Sequence, residues 1–195
     1  MAKLYFRYGA MDSAKTMNLL AVAHNYRQQG KTVLLMKPGT DDRFGERVIT
    51  SRSGLEKEVD LLLEANTVLP RERFEGLDGA LVDEAQFLSP FVIDQLRRIT
   101  VELDVPVICY GLRTDFRTRL FPGSRRLMEV ADSIEEVKVT CKFCRRKAVF
   151  NLRLVDGKGT IEGAQVQIGG NESYAPVCFR CYTAHVPFGE TTPSA

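Results

Sequence analysis

The N-terminal part of this chain places a short loop between an apolar segment and a helical pattern. Residues 3–8 are rich in apolar and aromatic side chains and predict a buried strand, and the pattern after the loop predicts a helix ending before Gly30. The loop, residues 9–16, reads G-x-x-x-x-A-K-T, one position away from the phosphate-binding pattern G-x-x-x-x-G-K-[ST]. Such a loop points backbone N–H groups at one place, where the helix dipole adds positive charge. It therefore predicts a nucleoside triphosphate site.

We predict that the whole loop contacts the nucleotide. Lys15 would reach the outer phosphates, and the hydroxyl of Thr16 would bind Mg²⁺. Ala14 stands where the pattern has glycine, so its methyl group is acceptable only if its φ is negative; Asp12 would repel phosphate unless its side chain points away. The alternative to a phosphate-binding loop is an ordinary strand–turn–helix in which the lysine occurs by chance. The predicted loop contacts are Gly9, Ala10, Met11, Asp12, Ser13, Ala14, Lys15 and Thr16.

The composition is that of an ordinary globular protein. Hydrophobic residues make up 44% of the 195 positions, and the net charge of +2 gives no argument for nucleic acid as a partner. The sequence has neither a long uninterrupted apolar stretch nor an N-terminal signal pattern. We therefore expect no membrane partner and a cytoplasmic location.

Predicted strands and helices alternate along the chain, which favours an α/β fold with a parallel sheet covered on both faces. Residues 55–65 are amphipathic and predict a helix rather than a strand, and Ser124 is predicted to cap a short helix. The further predicted strands are residues 32–36, 79–83, 105–110 and 134–140, and the helices are residues 90–103 and 124–131. The side chains predicted to face inward from the first of these helices are Val92, Ile93, Leu96, Ile99 and Val101.

Two adjacent carboxylates, Asp83 and Glu84, follow the predicted strand at 79–83. Ligands of parallel sheets bind beyond the carboxyl ends of the strands, so this pair and the loop at 9–16 would face one crevice. Neighbouring acids can have different pKa values and different roles. Asp83 would hold hydrated Mg²⁺, and Glu84 would accept a proton as general base. A solvated strand end carrying two acids is the alternative.

Four of the five cysteines form two C-x-x-C pairs, Cys141 with Cys144 and Cys178 with Cys181. This pattern is typical of a structural Zn²⁺ site, because four thiolates leave no open coordination position. The alternative to a zinc site is a pair of disulfides. His185 could replace one thiolate as a zinc ligand, but by default we expect it to be a solvent-exposed histidine. The fifth cysteine, Cys109, is predicted to be a small core residue.

Residues between the two cysteine pairs predict a strand at 148–154, a turn at 156–159 and a glycine-containing loop at 162–174. A metal bound by the two cysteine pairs would hold both ends of the segment between them, which lowers the conformational entropy lost when a ligand is bound. We predict that this segment covers the phosphate crevice as a lid for the phosphoryl acceptor.

Taken together, the loop, the string Asp83-Glu-Ala-Gln-Phe87, the segment Tyr110-Gly-Leu-Arg-Thr-Asp-Phe116, the cysteine pairs and Ile168-Gly-Gly-Asn-Glu-Ser-Tyr174 resemble the type II thymidine kinases. The resemblance extends from about residue 3 to residue 185. It implies a P-loop NTPase-like domain at residues 1–139, a zinc-tethered lasso domain at 140–187 and a flexible tail at 188–195. It also implies transfer of the γ-phosphate of ATP to the 5′-hydroxyl of thymidine or deoxyuridine, inhibition by thymidine triphosphate and a homotetramer.

The resemblance also implies roles for individual residues. Glu84 corresponds to the catalytic base and Asp83 to the metal-associated acid. The other positions implied near ATP are Gln86, Asp41 and Arg43. The positions implied around thymidine are Met11, Phe87, Leu112, Phe116, Phe121, Asn151, Gln167, Ile168, Gly169, Gly170 and Tyr174. Of these, Met11, Leu112 and Phe116 are alternatively plain core residues.

Two other functions remain open from the sequence. The string D-E-A-Q also occurs in helicase-type ATPases, so the chain could be a P-loop ATPase whose zinc module binds nucleic acid or protein. Ala14 also leaves room for a zinc-bound protein with an inactive site.

Overall fold

Six parallel strands form the central sheet of the protein, for which a computed structural model describes residues 1–39, 47–165 and 174–187. Numbered in chain order along the whole chain, these strands are β1 (Leu4–Tyr8), β2 (Val33–Pro38), β5 (Leu61–Leu63), β6 (Gly79–Val82), β7 (Val107–Gly111) and β8 (Ser133–Glu136). Their spatial order is β5–β2–β6–β7–β1–β8, and every neighbouring pair is parallel. The predicted α/β class with a parallel sheet is confirmed.

Helices cover both faces of this sheet, because the buried strands turn alternate side chains to opposite sides. On one face, α1 (Lys15–Gln28) packs against residues such as Val33 and Leu35 of β2. On the other, α2 (Pro90–Glu102) and α3 (Pro122–Val130) pack against a cluster that includes Leu34 and Met36. Cys109 lies in this second cluster and is fully buried, as predicted.

A smaller antiparallel unit follows β8. Its strands are β9 (Val139–Thr140), β10 (Lys147–Ala148), β11 (Phe150–Val155), β12 (Lys158–Thr160) and β13 (Tyr174–Val177), and it ends in the short helix α4 (Phe179–Thr183). β11 is the central strand of three, and β9 pairs with β10. Its core combines the four paired cysteines with Leu152, Val177 and Tyr182, and it includes Ala10 of the N-terminal loop.

The predicted helix at 55–65 is wrong. The segment contains two strands instead, β4 (Glu56–Glu58), which pairs with β3 (Val48–Thr50) in a hairpin, and the edge strand β5. Leu61 and Leu63 pack on one face of the sheet and Leu62 on the other. Pairing with β2 stabilises this alternation, and the local pattern could not reveal that partner.

Two details of the predicted helices are also wrong. Helix α3 begins at Pro122, a residue well suited to the first turn, and Ser124 is fully buried within it, where its hydroxyl donates to the carbonyl of Leu112 at 2.6 Å. In α2, Val101 is 53% exposed, because it lies about 200° around the helix from Ile99. The other four predicted inward side chains of α2 are buried.

Gly123 lets α3 approach the 3₁₀ turn Ala85–Phe87 that follows β6. A Cβ atom at Gly123 would lie 2.4 Å from the carbonyl oxygen of Ala85 and 2.7 Å from that of Leu88. Only glycine permits so close an approach of two backbones. This contact fixes the turn that directly follows the acidic pair.

Candidate functional site

The N-terminal loop opens onto a cavity of about 420 Å³. One wall is the loop itself, a second is formed by residues 83–87 at the end of β6, and a third by residues 48–53 of the β3–β4 hairpin. Strand β7 lies between β1 and β6 in the sheet. The carboxyl ends of all three strands meet at the same edge, which brings the loop and the acidic pair together.

One hydrogen bond joins the two motifs directly: the hydroxyl of Thr16 donates to the carboxylate of Asp83 at 3.0 Å. Lys15 is buried beneath the loop, where its ammonium group donates to the carbonyl of Ala10 at 2.9 Å and to the hydroxyl of Ser13 at 3.3 Å. The lysine and threonine of the pattern thus lie at the helix start, facing the acidic pair.

The loop backbone differs from the sequence-based expectation at Ala14. Its φ is +61°, in the left-handed region, whereas a negative φ was the condition for tolerating its methyl group. A non-glycine residue in this region costs roughly 1–2 kcal/mol. Asp12 also has a positive φ, and its carboxylate forms an ion pair with Arg52 of the β3–β4 hairpin. The charge of Asp12 is therefore partly compensated within the site.

Burial governs the electrostatics of the acidic pair. Removal from water, together with the neighbouring charge of Glu84, raises the pKa of Asp83 to about 7, against the opposing hydrogen bond from Thr16. Glu84 has a φ of +48° and is half-buried, and it accepts a hydrogen bond from the side-chain amide of Gln86. The side-chain carbonyl oxygen of Gln86 accepts a hydrogen bond from the backbone N–H of Leu112 at 2.9 Å. The two carboxylates therefore have distinct environments.

Apolar and aromatic residues adjoin the acidic pair. Met11, Phe87 and Leu112 line the cavity. Phe121 packs edge-on against Phe87 with ring centroids 5.6 Å apart, and Phe116 packs similarly against Tyr174 at 6.2 Å.

The antiparallel unit contacts the loop through Asn151. This buried side chain accepts a hydrogen bond from the backbone N–H of Met11 at 2.8 Å. Six predicted site residues lie outside the described residues: Asp41, Arg43, Gln167, Ile168, Gly169 and Gly170.

The four paired cysteines form one cluster, in which all sulfur atoms lie within 4.8 Å of one another and those of Cys144 and Cys178 are 3.7 Å apart. A tetrahedral Zn²⁺ site with Zn–S bonds of about 2.3 Å has S–S edges of about 3.8 Å, so the cluster can hold zinc. All four are free thiols rather than disulfides.

The thiol pKa values differ across the cluster. Burial opposes ionisation of Cys141, but N–H groups of Cys178, Phe143 and Cys144 outweigh it and lower its pKa to about 6. Burial and the neighbouring cysteines raise the pKa of Cys181 to about 12. His185 is exposed and stacks on Phe143 with ring centroids 4.6 Å apart, so it does not replace a thiolate in the cluster.

Sequence reasoning missed a group of residues that joins the segment after β7 to the segment after β12. Asp115 accepts hydrogen bonds from the N–H groups of Arg117 and Arg119 and from the side-chain amide of Gln165. Arg117 in turn donates to the carbonyl oxygens of Ile161 and Gly163. The contacts to Ile161, Gly163 and Gln165 join positions more than 40 residues apart, so no local pattern signals them.

Lys37 was also missed. This lysine is 2% exposed on the inner strand β2, lines the cavity and donates to the carbonyl of Val48 at 2.9 Å. A charged residue within an apolar strand was the available signal.

Among the described residues, no helix has the length and apolarity needed to cross a bilayer.

Comparisons with known proteins identify the family of the chain. A family model described as thymidine kinase matches residues 2–182. The chain is 47% identical over 184 residues to a thymidine kinase of Lactiplantibacillus plantarum, covering 93% of this chain and 96% of that protein. It is likewise 47% identical to one of Enterococcus faecalis, over 93% and 95% of the two chains.

A solved structure, the Pif1 helicase from Candida albicans, aligns with a TM-score of 0.40 and 13% identity over 70% of this chain and 36% of the helicase, which is too weak to carry an argument. The family model covers most of the chain and the sequence relatives match it over nearly their full length: the chain belongs to the thymidine kinase family.

Proposed function

We propose that the protein transfers the γ-phosphate of ATP to the 5′-hydroxyl of thymidine, and of deoxyuridine, yielding the nucleoside monophosphate. The observation that carries this proposal is the hydrogen bond from Thr16 to Asp83, because it joins the phosphate-binding loop to the acidic pair at one cavity. Family membership supports thymidine as the acceptor.

In this proposal the loop at 9–16 holds the donor. Its backbone N–H groups and the N-terminus of α1 stabilise negative charge on the phosphates. Lys15 exchanges its contact with the carbonyl of Ala10 for an outer phosphate. Mg²⁺, when bound, supplies further neutralisation of phosphate charge; Thr16 and Asp83 would hold it, and they fit it because both offer oxygen atoms 3.0 Å apart. Gln86, Asp41 and Arg43 complete the proposed donor site.

Glu84 acts as the general base. It takes the proton from the 5′-hydroxyl as that oxygen attacks the γ-phosphorus, while the bond to the β,γ-bridging oxygen breaks and ADP leaves. Glu84 lines the cavity beside Asp83 and is held by Gln86, which fixes its direction. Bringing the oxygen and phosphorus into line supplies much of the rate increase.

The thymine base would occupy the apolar end of the site, between the parallel-sheet domain and the lid. Its proposed contacts are Met11, Phe87, Leu112, Phe116, Phe121, Asn151, Gln167, Ile168, Gly169, Gly170 and Tyr174. Zn²⁺ at Cys141, Cys144, Cys178 and Cys181 would have a structural role only, because four thiolates close its coordination sphere. Inhibition by thymidine triphosphate, the homotetramer and the cytoplasmic location stay predictions.

The direct test incubates the protein with ATP, Mg²⁺ and a panel of nucleosides and follows nucleoside monophosphate. We expect product from thymidine and deoxyuridine and little from purine nucleosides. ATP hydrolysis that responds to nucleic acid, without thymidine monophosphate, would instead identify the alternative ATPase. Absence of both activities would indicate an inactive site.

Replacement of Glu84 by Gln removes the proposed base but keeps the size of the side chain. We expect kcat to fall by about 100-fold or more, with the KM for thymidine roughly retained. Steady-state kinetics with varied thymidine would measure both. The exposed Glu72→Gln is the matched control and should behave as the unaltered protein; near-normal turnover of Glu84→Gln would exclude the base assignment.

Asp83→Asn should stabilise the metal-free protein at pH 8. Because the folded-state pKa of about 7 exceeds the unfolded value of about 4, the contribution of Asp83 to stability falls as pH rises between these values. Asn keeps an acceptor for Thr16 without the buried charge. We expect Tm to rise by about 3 °C or more at pH 8, and by less at pH 5.

Thermal unfolding at both pH values, with Mg²⁺ removed, would measure this effect. The exposed Asp156→Asn is the control, for which we expect the same change in Tm at both pH values. An equal rise for Asp83→Asn at pH 5 and pH 8 would contradict the assigned cause.

Removal of zinc should weaken thymidine binding, because the cluster holds both ends of the lid segment. We expect Cys178→Ser to lose zinc, lower the Tm and raise the KM for thymidine by roughly 10–100-fold. Metal analysis and kinetics would be compared with Cys109→Ala, a cysteine outside the cluster that should keep full zinc content. Full zinc loss with unchanged thymidine KM would refute the tethering role.

A further inference from the structure

The turn of the β3–β4 hairpin carries an arginine to the phosphate end of the cavity. Ser51 organises this turn: its backbone N–H donates to the carbonyl of Leu55 at 2.8 Å, and its hydroxyl accepts from the N–H of Leu55 at 3.0 Å. The N–H of Gly54 closes the turn on the carbonyl of Ser51 at 2.9 Å. Ser51 is itself buried. Arg52 therefore projects from a defined turn and lines the cavity together with Lys15 and Thr16.

The partner of Arg52 lies within the phosphate-binding loop. Its guanidinium forms an ion pair with the carboxylate of Asp12, whose φ is +64°. A carboxylate in a loop that receives a triphosphate would repel it, and pairing with a guanidinium offsets that charge. The two side chains are 55% and 37% exposed, so the pair stands at the mouth of the cavity rather than in the core.

The charges that line the cavity make Arg52 significant. The carboxylates are Asp12, Asp83 and Glu84, and the cations are Lys15, Lys37 and Arg52. Lys15 and Lys37 are buried, at 9% and 2% exposure. Arg52 is the exposed cation of the set, and without it only the two buried lysines among the described lining residues would offset these carboxylates beside an anionic ligand.

We propose that Arg52 is a phosphate-binding residue of the donor site: one edge of its guanidinium neutralises Asp12, and its remaining N–H groups bind the phosphate chain of ATP. A guanidinium has five donors in a planar fork, and a carboxylate uses at most two of them. A bound triphosphate would thereby hold the β3–β4 hairpin against the loop. This inference rests on ATP as the donor in the proposed function.

The test compares Arg52→Ala, Arg52→Lys, Asp12→Asn and the double variant in the full-length protein. Equilibrium titration with Mg-ATP in the absence of nucleoside gives the Kd, and kinetics give the KM values for ATP and thymidine. We expect Arg52→Ala to weaken ATP binding by about 10–100-fold, because it loses a charge-assisted contact and leaves Asp12 uncompensated. The KM for thymidine should change little. Arg52→Lys should bind ATP more weakly than the unaltered protein but more tightly than Arg52→Ala, because an ammonium group keeps the charge but lacks the planar set of N–H donors of a guanidinium.

The double variant separates phosphate binding from simple neutralisation of Asp12. If Arg52 contacts phosphate, the double variant should bind ATP at least about fivefold more weakly than Asp12→Asn alone. Equal binding by these two variants would overturn the phosphate contact and leave only neutralisation. Normal ATP binding by Arg52→Ala would overturn any donor-site role.

Lys57→Ala is the matched control, because it removes an exposed cation from the same hairpin but not from the cavity lining. It should bind ATP as the unaltered protein does; a loss equal to that of Arg52→Ala would indicate a general charge effect and refute the proposal. Thermal unfolding checks that each variant is folded. An unaltered protein that binds Mg-ATP but forms no thymidine monophosphate would refute the proposed function alone, since the binding comparison would still decide the role of Arg52.

Discussion

The hydrogen bond between Thr16 and Asp83 depends on the order of the parallel strands, and the candidate site depends on that bond. Its partners follow β1 and β6, which are not neighbours in the sheet because β7 lies between them. Parallel pairing nevertheless aligns the carboxyl ends of the three strands. Buried Lys15 and the close approach of Gly123 to the Ala85–Phe87 turn fix the two sides of this contact. The geometry of the site is therefore a property of the sheet rather than of either motif alone.

Local conformation at the site is costly and is held by the surrounding structure. Ala14 and Glu84 both have positive φ values, each at a junction where the chain leaves a strand or enters a helix. Non-glycine residues persist in this region only where neighbouring contacts determine the backbone. At Glu84 those contacts are the Gln86 amide and its link to Leu112; at Ala14 they are the helix that follows and the buried lysine next to it.

Much of the fold could be predicted because its signals are local. The apolar runs around Leu34 and Leu81, the G-x-x-x-x-A-K-T loop and the two C-x-x-C pairs each carry their structure within a few residues. The strand β5 was predicted as a helix because its partner, β2, lies elsewhere in the chain. The φ of Ala14 and the contacts of Arg52 and Asp115 escaped for the same reason: they depend on residues brought together only by folding.

The hydrogen bond from the backbone N–H of Met11 to the side chain of Asn151 would couple the binding of the two ligands. On the proposed function, one of its partners belongs to the ATP loop and the other to the unit that covers the nucleoside. A ligand that orders either partner lowers the conformational entropy that the second ligand must still remove, so the two substrates would bind with positive cooperativity within one chain. Thermodynamic reciprocity requires the effect of ATP on thymidine affinity to equal that of thymidine on ATP affinity.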